Sequence, residues 1–292
     1  MILKLSPLAF TKVWGGDKLL KIYDMPLTNI GEIWGISAHK SNSNIIINGQ
    51  FKGITFRELF TKHRELFGNY PKDEFPLLLK VIDAKEDLSI QVHPDNEYAR
   101  TNEDSFGKDE CWYILEADEK SRIQIGHRAK NRNEMKNAIL NNSLEEILLY
   151  NSISVGDYYY IPSGKVHAIC KNTTLLEVSQ SSDITYRLYD YNRLDNGKLR
   201  TLHIQNSLDV ISFPDTKNET KHSNKYFTFN IIDFHDERIK ANVYGDYLYV
   251  VDGIGTVDDE NISKGDFFVI TSNSEYKIHG RMKIAQIRIN LY

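Results

Sequence analysis

Four side chains in this sequence have the types and spacing to hold a divalent metal ion. Gln91 and His93 stand two apart in LSIQVH, residues 88–93, so a strand there points both to one face. Glu110 opens the apolar run ECWYILE, and His167 ends the stretch GDYYYIPSGKVH at 156–167. Two imidazoles and a carboxylate, with an amide oxygen nearby, suit zinc or a similar ion and leave a coordination position open. Taken singly, each has a plainer explanation. His167 alone would be a packed or solvated histidine, and Glu110 alone a surface charge beside Asp109.

Further polar groups surround these four. Lys80 interrupts FPLLLKVID at 75–83, a run apolar enough for a strand buried on both faces, where a lysine is costly unless paired or functional. Ser89 shares the face of Gln91 and His93, and Lys108 precedes Glu110 by two. Glu177, Asp183 and Arg187 lie in LLEVSQSSDITYRLYDYNR, where strand alternation puts Thr185, Arg187 and Tyr189 on one face. An arginine and two lysines around a metal could bind a phosphate and polarise a sugar oxygen. The competing explanation for Asp183 and Arg187 is a surface ion pair.

Short strands and tight turns must position these groups. In 156–167, an aromatic β-favouring run meets Pro162 and Gly164, which impose a turn, and His167 enters a second apolar run. The pattern predicts a hairpin that aims the imidazole inward. Strands are expected over 32–37, 45–48, 75–83, 88–93, 110–116, 123–125, 174–179 and 185–191. Helices are expected over 17–23, 55–67 (behind a capping Thr55), 95–103, 131–150 (broken near Asn141) and 204–211. Residues 214–225 are polar and charged, the best linker in the chain. Beyond them only strands are expected, over 226–234, 247–252, 255–258, 267–271, 276–279 and 283–290. There GDFFVITSNSEY, from Gly265, echoes the earlier motif, with Tyr276 where His167 stood.

Composition narrows the class. A chain of 292 residues with net charge −4 has no general attraction to nucleic acid or anionic membrane. No apolar run approaches the ~18 residues of a membrane span. The first ten residues lack the form of a secretory signal, so a cytoplasmic protein is expected. Cys111 and Cys170, the only cysteines, sit in apolar runs and read as buried free thiols.

The motif G-x5-P-x-G-x2-H resembles the second conserved motif of the cupin β-barrel family, whose histidine is a metal ligand. A closer resemblance rests on PLLLKVIDAKEDLSIQVHPD, KDE, IPSGKVHAI and LLEVSQSSDITYRLYDYNR in that order, with GEIWGIS near the N-terminus. Together they are similar to the short bacterial form of type I mannose-6-phosphate isomerases. The resemblance implies a mainly β fold. A cupin (jelly-roll) barrel decorated with helices would span 1–214, and a smaller cupin-like β domain without metal 215–292. It implies one zinc ion per chain, surrounded by Gln91, His93, Glu110 and His167. It also implies Arg187 as the catalytic arginine, and Ser89 and Lys108 as phosphate or sugar contacts. Glu177 and Asp183 match acidic positions of the family, and Lys80 joins the substrate-binding set. The chain departs from generic cupins in reading QVH for HxH. It also lacks the helical insert and the arginine-alanine-glycine run of the longer eukaryotic enzymes.

The implied reaction interconverts mannose 6-phosphate and fructose 6-phosphate through a cis-enediol. The metal and Arg187 would stabilise charge on the oxygens. Glu177, Lys108 and a water on the metal are all candidates for the base. The implied partner is a phosphorylated hexose, with neither nucleic acid nor membrane, and the enzyme a monomer or homodimer. Two other classes remain, a non-catalytic sugar-binding cupin and an iron-dependent cupin oxygenase. The first does not explain Lys80, Lys108 and Arg187. The second fits poorly with Gln91 in place of a histidine.

Overall fold

The computed structural model describes residues 1–291. Two antiparallel sheets face each other across the residues singled out above. The six-stranded sheet runs Leu8–Gly16, Ile30–Ser37, Leu77–Ala84, Thr173–Gln180, Glu110–Glu116 and Tyr158–Ile161. The five-stranded sheet runs Tyr186–Tyr189, Ile90–Val92, His167–Ile169, Arg122–His127 and Leu148–Ser152. This is the cupin barrel that the sequence implied. As expected, Leu77–Ala84 is buried along its whole length. Leu77, Leu79 and Val81 pack into the apolar core outside this sheet, and Lys80 points into the barrel, where Glu177 and Glu32 pair it.

The stretch 156–167 is not a hairpin. Tyr158–Ile161 pairs with Glu110–Glu116 in the six-stranded sheet, whereas His167–Ile169 pairs with Ile90–Val92 and Arg122–His127 in the other. The turn therefore carries the chain from one wall of the barrel to the opposite wall. Gly164 makes this possible: its φ is +82°, and a Cβ there would sit 2.5 Å from Ser212 Oγ. Other expected elements also shift. Residues 45–48 form only isolated bridges, Leu5 to Ile46 and Ile45 to Thr55, instead of a strand. The 131–150 helical region ends at Ile147 and turns into the strand Leu148–Ser152. The expected 55–67 helix divides into Phe56–Lys62 and the 3-10 turn Arg64–Phe67, with Thr55 accepting the Glu58 N–H at 3.1 Å.

A third sheet lies outside the six-stranded one. It orders Ile2–Lys4, Phe267–Ile270, Asp246–Val257, Glu275–Ile289 and Phe227–Lys240, with Glu260–Ser263 on the Asp246–Val257 strand. One apolar core joins its inner face (Phe227, Tyr249, Phe267, Ile287) to the outer face of the six-stranded sheet (Ile33, Leu79, Val81, Val178). Gly35 allows the closest approach, since a Cβ there would lie 2.1 Å from the Phe267 ring. The strands expected over 247–252 and 255–258 are one continuous strand. So are those over 276–279 and 283–290. Residues 214–225 have no helix or named strand, as a linker should. They are pinned nonetheless: buried Lys165 holds Asp215 at 3.0 Å and also donates to the Thr216 carbonyl.

The echo of the histidine motif does not cross between sheets: Phe267–Ile270 and Glu275–Ile289 lie in one sheet, with Asp246–Val257 between them. Asp246 opens its strand as Glu110 opens the earlier one. Its fully buried carboxylate accepts from Tyr276 Oη at 3.1 Å, Gln286 Nε2 at 3.0 Å and Arg288 Nε at 2.8 Å. An arginine thus supplies the cation. Asp246→Ala is expected to lower the unfolding free energy by about 2–4 kcal/mol in a urea titration. That is less than for a fully buried ion pair, because the Arg288 side chain is 31% exposed.

Candidate active site and metal centre

Cross-strand register builds the site from two facing rows. On the five-stranded sheet, Arg187 lies opposite Gln91, and Gln91 opposite His167. On the six-stranded sheet, Trp34, Lys80, Glu177 and Trp112 lie in register across four strands. The rows meet where the Trp112 ring packs edge-on against His167, with centroids 5.4 Å apart. A β-bulge between Arg187 and Tyr189 turns Tyr189 opposite Ile90 and into the apolar core behind that sheet. Tyr189 therefore does not share the face of Arg187, contrary to simple alternation.

His93, Glu110 and His167 converge as expected. Their ligand atoms all lie within 4.8 Å of one another, and all three side chains are buried. His93 Nε2 is 3.2 Å from His167 Nε2 and 3.6 Å from Glu110 Oε2, and His167 Nε2 is 3.4 Å from Glu110 Oε1. Ligands around a tetrahedral ion at about 2.1 Å would be about 3.4 Å apart. Each Nδ1 is engaged by a carbonyl at 2.8 Å, Ile184 for His93 and Lys165 for His167. That fixes the tautomer with Nε2 unprotonated and its lone pair turned inward. Burial holds both imidazoles neutral: His93 is pushed well below its usual pKa, and His167 down to about 3. Two lone pairs facing each other, with a buried Glu110 Oε1 lacking any hydrogen bond, fit a cation between them.

The turn between the sheets locks the three ligands together. Gly164 N–H donates to the His93 carbonyl at 2.9 Å. Asp109 accepts from Ser163 N–H at 3.0 Å and from Tyr160 Oη at 2.5 Å, and it is the residue before Glu110. Asp109 is itself buried. Gln91 lies alongside, with Nε2 3.4 Å from His167 Nε2 and Oε1 accepting from Ser89 Oγ at 3.3 Å.

Charge alternates away from the metal ligands. Lys108 Nζ is 2.6 Å from Glu110 and 3.1 Å from Glu177, Lys80 Nζ is 3.3 Å from Glu177 and 3.9 Å from Glu32, and Lys12 is 3.4 Å from Glu32. Burial alone would raise the pKa of Glu177, but Lys108 and Lys80 outweigh it and hold the carboxyl down to about 2. Burial and the Glu177 charge push Glu110 up to about 7, against Lys108. Lys108 is raised, because the two glutamates overcome its burial. Trp34 completes the row: its Nε1 donates to Glu32 at 2.8 Å, and Lys80 Nζ lies 5.2 Å from its ring centre.

One cavity brings together Lys80, Ser89, Gln91, Lys108, Glu177, Asp183 and Arg187 with Lys12, Trp14, Glu32, Trp34 and Arg200. Asp183 faces His39 at 3.8 Å and makes no ion pair with Arg187 among the described residues. The sequence reading missed Glu32, Trp34, Lys12 and Arg200. GEIWGIS pointed to the first two, but nothing in the local pattern around Lys12 or Arg200 marks them.

Comparisons with known proteins agree with this geometry. The model of the type I phosphomannose isomerase catalytic domain matches residues 2–126. Mannose-6-phosphate isomerase of Streptococcus mutans is 46% identical over 212 residues, which cover 72% of this chain and 67% of that one. A putative mannose-6-phosphate isomerase of Bacillus subtilis is 42% identical over 253 residues, 84% of this chain and 77% of its own. The chain belongs to the type I phosphomannose isomerase family. The crystal structure of mannose 6-phosphate isomerase from Bacillus subtilis superposes over 99% of both chains, with a TM-score of 0.93 and 36% identity. A putative mannosephosphate isomerase from Archaeoglobus fulgidus shares the fold, with a TM-score of 0.84 at 19% identity. Within this phosphomannose isomerase barrel, His167→Ala should abolish stoichiometric metal, measured by elemental analysis, while far-UV circular dichroism stays unchanged. Retained metal at wild-type stoichiometry would remove His167 from the ligand set.

Proposed function

We propose that this chain interconverts mannose 6-phosphate and fructose 6-phosphate, using one zinc ion held by His93, Glu110 and His167. Gln91 would be the fourth ligand with its amide turned so that Oε1 faces His167. The observation that supports the reading is the pair of facing rows: Glu177, held ionised, and Arg187, without an ion pair among the described residues, line one cavity beside the buried His93–Glu110–His167 group. The names borne by the relatives support the same substrate. No helix is long and apolar enough to cross a membrane, and both cysteines are free and buried. A cytoplasmic enzyme is part of this reading, with catalysis assigned to residues 1–214 and a supporting role to 215–292.

When bound, the zinc supplies a Lewis acid for the sugar oxygens at C1 and C2. The side chains do the rest. Arg187, opposite Gln91, offers a planar fork of donors to the oxygen on which charge grows. Glu177 is held ionised and Lys108 protonated, so of these two only Glu177 is in the form that accepts a proton. Lys108 then acts as a donor. Lys80, Ser89 and Asp183 contact the sugar from the cavity wall.

Two measurements test this. Purified protein with restored zinc should convert mannose 6-phosphate in a coupled assay, and a chelator should abolish the conversion. No turnover with metal restored would end the proposal. Arg187→Ala should lower kcat by about 100–1000-fold at unchanged metal content, with Arg187→Lys recovering only part. Wild-type kcat in the alanine variant would make Arg187 a solvated charge.

A further inference from the structure

The two ends of the cavity differ in charge balance. At the inner end, Lys80 and Lys108 are matched by Glu177 and Glu110. At the outer end they are not matched. Arg200 Nη1 lies 3.2 Å from Asp190 Oδ2 and 3.3 Å from Oδ1. The same buried carboxylate also takes Arg193 Nη2 at 3.0 Å. Arg187, on the same strand, makes no ion pair among the described residues, its Nε is buried without a partner, and burial and then the Arg200 charge lower its pKa. Asp190 thus pairs with two guanidinium groups while Arg187 has no carboxylate of its own, which leaves this end with a surplus of positive charge. Lys12 faces this end from the opposite sheet and is matched by Glu32. Arg200 and Lys12, together with Trp14, line both the inner cavity and a second pocket outside it, so they stand at the mouth. Asp195 lines only the outer pocket and is exposed, where water screens it.

We propose that Arg200, assisted by Lys12 across the mouth, seats the phosphoryl group of the substrate and thereby fixes its distance from the metal ligands. This rests on the isomerase reading above and names the part of the cavity that recognises the phosphate. A phosphate monoester carries about −1.5 to −2 charges at neutral pH, opposite in sign to this surplus. Asp190 holds the Arg200 fork in place before substrate arrives, so little side-chain freedom is lost on binding. Asp190 is three residues past Arg187, just beyond the strand Tyr186–Tyr189, so chain length allows at most about 10 Å between them, a span on the order of an open-chain hexose phosphate. Arg187 then stands between the phosphate and the metal, free to act on the reacting carbons. The aldehyde end reaches the ligands only when the phosphate is at the mouth.

The test compares the zinc-loaded wild type with Arg200→Met and Lys12→Met. Arg200→Met is expected to raise KM for mannose 6-phosphate about 10–100-fold, with kcat within a few-fold of wild type. Competitive inhibition by inorganic phosphate should weaken by a similar factor. Arg200→Lys should recover part of both, and Lys12→Met should give a smaller change in the same direction. Arg193 still engages Asp190 in these variants, so thermal unfolding and zinc content should stay near wild type. Unchanged KM and phosphate inhibition in Arg200→Met overturn the proposal, and so does a fall in kcat at unchanged KM. Should Arg200→Met fail to fold, wild-type values in Lys12→Met overturn it instead. If the wild type does not turn over mannose 6-phosphate, the isomerase reading fails on its own. Calorimetric titration of wild type and Arg200→Met with inorganic phosphate then decides the anion seat separately.

Discussion

The structure of the site depends on keeping a carboxylate ionised inside a dry barrel. Glu177 is buried, and a lone charge there would cost several kcal/mol or take up a proton. Lys80 on the neighbouring strand and Lys108 just before the next one prevent this. Each lysine in turn needs a second carboxylate, and Glu32 and Glu110 provide them. The sequence of charges is dictated by this mutual need. Removing any member leaves a neighbour unpaired, so the row behaves as a unit. Its last member, Glu110, also belongs to the His93–Glu110–His167 group that could hold a metal ion, so the charge row runs directly into that group.

Precision comes from backbone contacts more than from side chains. The crossing turn reaches both other ligand segments through main-chain N–H groups, Ser163 to Asp109 and Gly164 to the His93 carbonyl. A hairpin would have held His167 against its own sequence neighbour alone. By changing sheets, the chain places an imidazole from one wall against a tryptophan and a carboxylate from the other. The cavity is therefore the gap between two sheets, and strand register sets its shape.

Much of this was legible in the sequence. Gln91, His93, Glu110, His167, Lys80, Lys108, Glu177 and Arg187 were all visible as polar residues breaking apolar runs or closing a turn motif; five of them line one cavity, and His93, Glu110 and His167 cluster beside Gln91 and Lys108. Period-two reasoning places Gln91 and His93 correctly because their strand is regular. It fails at Tyr189, because a bulge leaves no local signature in TYRLYDY. Pairing partners were equally hidden: GDYYYIPSGKVH reads as a hairpin because a Pro-Gly turn says nothing about which sheet receives the next strand. Lys12 and Arg200 were invisible for a related reason. Each is an ordinary surface residue type, and only the closure of the barrel brings them face to face. The burial of Asp109 left no local signal, because burial of an acid next to another acid is decided by distant donors, here Tyr160 and Ser163.

The strand Ile2–Lys4 completes the outer sheet by pairing with Phe267–Ile270, through Ile2 to Ile270 and Lys4 to Phe268. The barrel strands lie between these two segments in the chain. During synthesis the first strand must therefore wait for more than 260 residues before its partner leaves the ribosome. Until then its edge is open, and so is the apolar outer face of the six-stranded sheet. The apolar outer face of the six-stranded sheet is covered only when the final sheet closes over it, and that wait is set by the length of chain between residues 4 and 267.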